Sequence, residues 1–104
     1  MEYGTAKGAT TEFYAVPSGK TLMLTSVNLA CANQAAAYQE GKLYIRDDGD
    51  NVEMQWWIGL PDTGFGEISI PFPDPLEVSE GWDFAAVSSD ADLSTVCAIT
   101  GYLV

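Results

Sequence analysis

The sequence predicts an all-β chain: an antiparallel β-sandwich, jelly-roll-like, with about eight strands. Three observations point there. Short runs of residues alternate between apolar and polar character. Turn signals such as Pro17-Ser18-Gly19, Asp47-Asp48-Gly49 and Ser79-Glu80-Gly81 divide those runs at fairly regular intervals. No segment carries a sustained helical period with caps.

The elements follow in order. Residues 1–11 are small and polar and read as a flexible N-terminal arm, leaving 12–104 as a single sandwich domain. Glu12 to Val16 is a short strand closed by the Pro17-Ser18-Gly19 turn. Thr21 to Cys31 is the longest strand: Leu22, Met23 and Leu24 are apolar on both faces, after which Val27, Leu29 and Cys31 share one face. Asn33 to Glu40 reads as a loop, with Ala35 to Ala37 able to form one helical turn.

Lys42 to Arg46 and Val52 to Gly59 form a hairpin around the Asp47–Asn51 turn. With Arg46 opposite Glu53, Ile45 meets Met54 and Leu43 meets Trp56 inside, while Lys42 lies beside Trp57 outside. Leu60 to Gly66 is a loop, and Glu67 to Phe72 a strand with Ile68, Ile70 and Phe72 inward. Pro71, Pro73 and Pro75 restrict that segment to a sheet edge or a crossing between sheets. Leu76 and Val78 make a short strand, followed by strands at Trp82 to Ser88 and Thr95 to Val104. Trp56 and Trp82 fit inward positions, and Tyr102 fits core or interface.

If strand 21–31 lies antiparallel beside 95–104, Cys31 falls opposite Cys97, Leu29 opposite Ile99 and Val27 opposite Gly101. The two cysteines read as buried free thiols, with a disulfide left to the geometry to decide.

Composition bounds the function. Hydrophobic residues make up 47% of the 104, enough for a core without a disulfide or a metal. Fifteen acidic residues against four basic ones give a net charge of −11, which repels phosphate backbones. No nucleic-acid partner and no membrane partner is therefore expected. The same charge fits a well-solvated surface, a basic partner or a divalent cation. No run of ~18 apolar residues is present, and residues 1–11 lack the pattern of a secretory signal.

Histidine is absent, which removes the usual general base and the commonest zinc ligand. Phosphate-binding glycine loops and nucleophile elbows are absent too, so an enzyme is not expected, and neither is a cofactor. Asp47, Asp48, Asp50 and Glu53 form the densest acidic cluster, a weak calcium candidate. Their spacing departs from the twelve-residue calcium loop, so a polar hairpin turn is the preferred reading and no metal is expected. Trp57 and Tyr44 share a strand face with polar neighbours including Lys42, and these three form the candidate interface or ligand platform.

Two stretches resemble small jelly-roll virion proteins of tailed bacteriophages, of the capsid-decoration and head-fibre type. Val16-Pro17-Ser18-Gly19-Lys20-Thr21-Leu22-Met23-Leu24-Thr25-Ser26-Val27 is similar to their entry into the second strand. Ile70-Pro71-Phe72-Pro73, then Pro75-Leu76-Glu77-Val78-Ser79-Glu80-Gly81 and finally Gly101-Tyr102, resembles their ending, although Trp82-Asp83 departs from the usual order after the glycine. The resemblance implies a homo-oligomer, a trimer above all, docked on a viral capsid or tail protein at the virion surface, with no catalytic residues. A carbohydrate-binding β-sandwich on a tail or an enzyme is the alternative, with Trp57 and Tyr44 as its platform, and a small catalytic domain the third reading.

Overall fold

The computed structural model describes residues 1–104. Its eight strands are β1 (Glu2–Lys7), β2 (Thr10–Ala15), β3 (Leu22–Asn33), β4 (Gln39–Arg46), β5 (Val52–Leu60), β6 (Phe65–Val78), β7 (Asp83–Ser88) and β8 (Leu93–Leu103). They form two antiparallel four-stranded sheets, in the orders β1-β8-β3-β6 and β2-β7-β4-β5. Every connection except the β4–β5 hairpin passes from one sheet to the other, which gives the sandwich its jelly-roll-like order.

Alternation builds the core. Leu24, Val27, Leu29 and Cys31 from β3 meet Leu43 and Ile45 from β4, Phe84 from β7, and Leu93, Cys97 and Ile99 from β8, all essentially excluded from solvent. Each such large side chain contributes roughly 1.5–3 kcal/mol by leaving water. On β3 the inward set changes parity between Leu24 and Val27. A β-bulge explains it: Leu24 lies opposite Gly101 and Ser26 opposite Thr100, so Thr25 is the extra residue, and its hydroxyl donates to the Thr100 carbonyl at 2.9 Å. A side chain at Gly101 would collide with the Met23 carbonyl, so the last strand needs a glycine where the bulge presses on it.

The strand total matches the expectation through two departures that cancel. Residues 2–7, expected within a free arm, are β1, paired with β8 from Glu2↔Ile99 to Lys7↔Ser94 with Ala6 buried. The arm is thereby corrected: Gly4 lets the Phe13 ring sit directly on β1, and pairing supplies the order that the small polar composition concealed. Conversely, 67–72 and 76–78 belong to one strand, β6. It bulges between Pro71, opposite Ser26, and Leu76, opposite Leu24. The prolines lie in and beside that excursion on a sheet edge, where missing N–H donors cost little.

The long strand does pair antiparallel with the last one, but two residues away from the expected register: Leu29 faces Cys97, Val27 faces Ile99 and Cys31 faces Thr95. A slip of two keeps every side chain on its face, so the inward assignments survive it. Both cysteines are free and buried. Burial pushes the Cys97 thiol up to about 12 and raises that of Cys31 as well. Ala35 to Ala37 form bends instead of a helical turn, because Asn33 fixes the loop: its amide donates to the carbonyls of Ala37, Leu60 and Pro61, and its oxygen accepts from Ala35 N.

Two turns lock one end of the sandwich. Gly19 and Gly81 both take positive φ, at 77° and 80°, as the third residue of their turns. The Glu80 carboxylate accepts from Gly19 N at 2.6 Å, and Gly81 N donates to the Val16 carbonyl at 3.0 Å.

Candidate functional site

The candidate platform lies on the outer face of the β2-β7-β4-β5 sheet. The hairpin places Lys42 opposite Trp57, Leu43 opposite Trp56, and Ile45 opposite Met54, as the alternation predicts. Tyr44 lies opposite Gln55. Trp57 is 55% exposed, while Tyr44 and Lys42 are half-buried. The structure therefore brings these three residues onto one face, with Trp57 standing highest. The inward half of β5 is looser than the pattern suggests. Met54 retains 38% exposure, because β5 is the sheet edge and β6 bulges away opposite it, and Val52, 44% exposed, is turned to the outer face by the shift that sets it opposite Arg46.

A third aromatic residue escaped the sequence reading. Tyr38 precedes β4 in what reads as a loop, yet its ring lies on Gly59 of β5, on the same face as Trp57. Its hydroxyl donates to Glu40 Oε2 at 2.9 Å, and that acceptor raises the phenol's pKa by favouring the protonated form. Glu40 also faces the Lys42 ammonium at 3.8 Å. The available signal was Gly59 itself, a glycine inside a strand, which marks a place where another group approaches the backbone. The face thus carries Tyr38, Trp57 and Tyr44 along the hairpin, in rows ~6.8 Å apart.

Charge closes on itself at the far end of this face. Arg46 lies opposite Val52, not Glu53, because the ladder shifts by one residue beyond Ile45. Its guanidinium turns instead to β7, donating to Asp83 Oδ1 at 2.7 Å and Oδ2 at 3.1 Å. This bidentate pair, with the Asp83 side chain 6% exposed, raises the arginine's pKa and fixes the direction of its guanidinium. Glu12 and Asp50 lie further from Arg46, at 3.8 and 4.0 Å. For Glu12 the neighbouring Asp83 carboxylate outweighs the attraction of Arg46 and raises the pKa.

The acidic turn is organised as a turn. Asp47 Oδ1 accepts from Gly49 N and Asn51 N, each at 2.9 Å, and Oδ2 accepts from the Asn51 amide at 3.1 Å. Those bonds hold the Asp47 carboxyl below its ordinary value. Asp50 takes φ 61°, a left-handed conformation that Asp tolerates better than most residues, and it points toward Arg46. Asp47, Asp48, Asp50 and Glu53 are not brought together as a group that could hold a metal ion.

The opposite outer face, on β1-β8-β3-β6, carries an open groove of about 510 Å³ lined by Tyr3, Asn28, Ala30, Glu67, Val96 and Ala98. Tyr3 in its lining is 67% exposed, and Phe65, one row beyond Glu67 on β6, is 71% exposed. Tyr102, on the same side of its strand as Ala98, is 52% exposed. Sequence reasoning missed this surface because it treated Tyr3 as part of an arm. Fold and surfaces together define a class: a jelly-roll-like sandwich with an aromatic strip on one outer face and an open groove on the other. No family model matches the chain, and a search of curated proteins finds no match.

Proposed function

We propose that the chain is a structural assembly module, a virion protein of the capsid-decoration type that oligomerises and docks on a capsid or tail protein. One observation carries this reading: large apolar side chains remain exposed on both outer faces, including Tyr38 and Trp57 on one and Tyr3, Phe65 and Tyr102 on the other. Exposed aromatic residues on flat sheet faces fit protein interfaces, where aromatic side chains are enriched and charge is depleted. The internal use of Arg46, Asp83 and Asp47 fits a non-enzymatic role, since these charged groups serve the fold. The net charge of −11 keeps free subunits apart until an adhesive face finds its match.

The test is native mass by light scattering after size exclusion, at low and high salt. A stable oligomer, with trimers preferred, is the expected result. Trp57→Ala with Tyr44→Ala is expected to weaken docking on the shell at least about tenfold, as loss of aromatic anchors does.

Carbohydrate binding is the second reading, favoured by the alignment of Tyr38, Trp57 and Tyr44 along one hairpin. A chain that stays monomeric at both salt concentrations, and binds members of a glycan panel only with Trp57 intact, would replace the assembly reading with this one.

A further inference from the structure

We infer that the outer face of β1-β8-β3-β6 is the surface on which a second copy of this chain seats, with Lys7 of one copy against Glu67 of the other. The inference rests on the assembly reading and deepens it, by assigning contact between copies to this face and leaving the Trp57 strip to the shell.

Three successive rows cross the sheet, running from Phe65, Glu67 and Ser69 on β6 to Lys7, Thr5 and Tyr3 on β1. Between them β3 and β8 present mostly small side chains, with Ala30, Ala32 and Ala98 forming a low floor. Such a surface lets another sheet approach closely, while Tyr3 and Phe65 project from opposite edges as anchors.

Charge selects the occupant. Within these rows the only charged residues are Lys7 and Glu67, so the face is neutral on a chain that carries −11 overall. Two such chains repel through most of their surfaces and can approach where their local charges cancel. Neither Lys7 nor Glu67 has an ion-pair partner within the chain. They stand on opposite edges, three strand spacings apart, roughly 14 Å, too far to pair with each other. Their separation suits a second copy. In a two-fold face-to-face stack, with the axis along the strands, β1 of one subunit lies over β6 of the other. This stack sets Lys7 within a row of the partner's Glu67, a gap the flexible lysine stem spans.

The size suffices. Three rows across four strands cover on the order of 400 Å² of footprint. Counting both copies and their side-chain relief, the stack buries on the order of 1,000 Å², the lower end of what a specific interface needs.

The experiment measures self-association of the full chain by sedimentation across a concentration series, with far-ultraviolet circular dichroism to verify folding. Ala98→Arg, an outward substitution at the centre of the face, is expected to return the mass to the 11.2 kDa monomer. Lys7→Glu and Glu67→Lys are each expected to weaken association at least about tenfold, and the double exchange, with net charge unchanged, to restore it. Glu67→Lys also makes the chain less negative, so a purely global charge effect would strengthen association and overturn the inference. An oligomer that survives Ala98→Arg, or a double exchange that fails to restore affinity, overturns this seating and leaves the assembly reading standing. A wild-type chain that remains monomeric at every concentration overturns the seating and self-assembly together.

Discussion

At the residue scale, the half-buried Arg46 decides more than its exposed neighbours. Asp83 takes it with two short hydrogen bonds, so Glu12 is left near a carboxylate without a cation of its own. Glu12 therefore binds its proton more tightly in the folded chain than at its ordinary pKa of 4.5. Stability associated with protonated Glu12 is fully present below that value and is lost as pH rises through the higher folded one. Glu12→Gln is accordingly expected to raise the thermal midpoint at pH 7, with the gain vanishing as pH falls below the ordinary carboxylate range. A midpoint lowered at pH 7 would mean that the 3.8 Å contact with Arg46 outweighs the repulsion from Asp83. None of this was legible in the sequence, which suggested Glu53 as the partner of Arg46. The choice depends on a one-residue shift in a ladder, and turn geometry sets such a shift.

At the scale of elements, β1 is the strand whose removal is most informative. It covers one edge of β8, buries Ala6 and receives the Phe13 ring on Gly4. Deleting residues 1–7 is expected to lower the thermal midpoint by at least ~4 °C, the shift that about 1 kcal/mol produces in a domain of this size. An unchanged midpoint would restore the reading of these residues as a free arm. The hairpin shows the opposite balance between sequence and structure. Its pairs Lys42–Trp57, Leu43–Trp56 and Ile45–Met54 could be read in advance, because the two-residue period and an Asp/Gly turn leave few registers that keep apolar residues on one face. The parity change along β3 was masked by the run Leu22-Met23-Leu24, which reads as apolar on both faces, and the bulge at Thr25 is its cause.

At the scale of the whole molecule, electrostatics opposes both folding and association. With a net charge of −11 and only Lys42 and Arg46 engaged in ion pairs, carboxylate repulsion acts across the surface. Raising ionic strength from 0.01 to 0.15 M shortens the screening length from about 30 to about 8 Å. The thermal midpoint is expected to rise over that range in differential scanning calorimetry. A fall would show that the attractive cluster around Arg46 contributes more than the repulsion.

The sequence by itself determined the fold class, most strand positions and the inward sets, because alternation, turn residues and proline placement are local features that act over a few residues. It also placed Trp57, Tyr44 and Lys42 on one face. Tertiary structure alone decided the two-residue register between β3 and β8, the recruitment of residues 2–7 as an edge strand, the Tyr38 ring on Gly59 and the closure of Arg46 on Asp83. Each of these joins residues far apart in the chain or displaced by a bulge. A shift of two leaves every face unchanged, so the hydrophobic pattern cannot select among registers, and packing across the sandwich makes the choice.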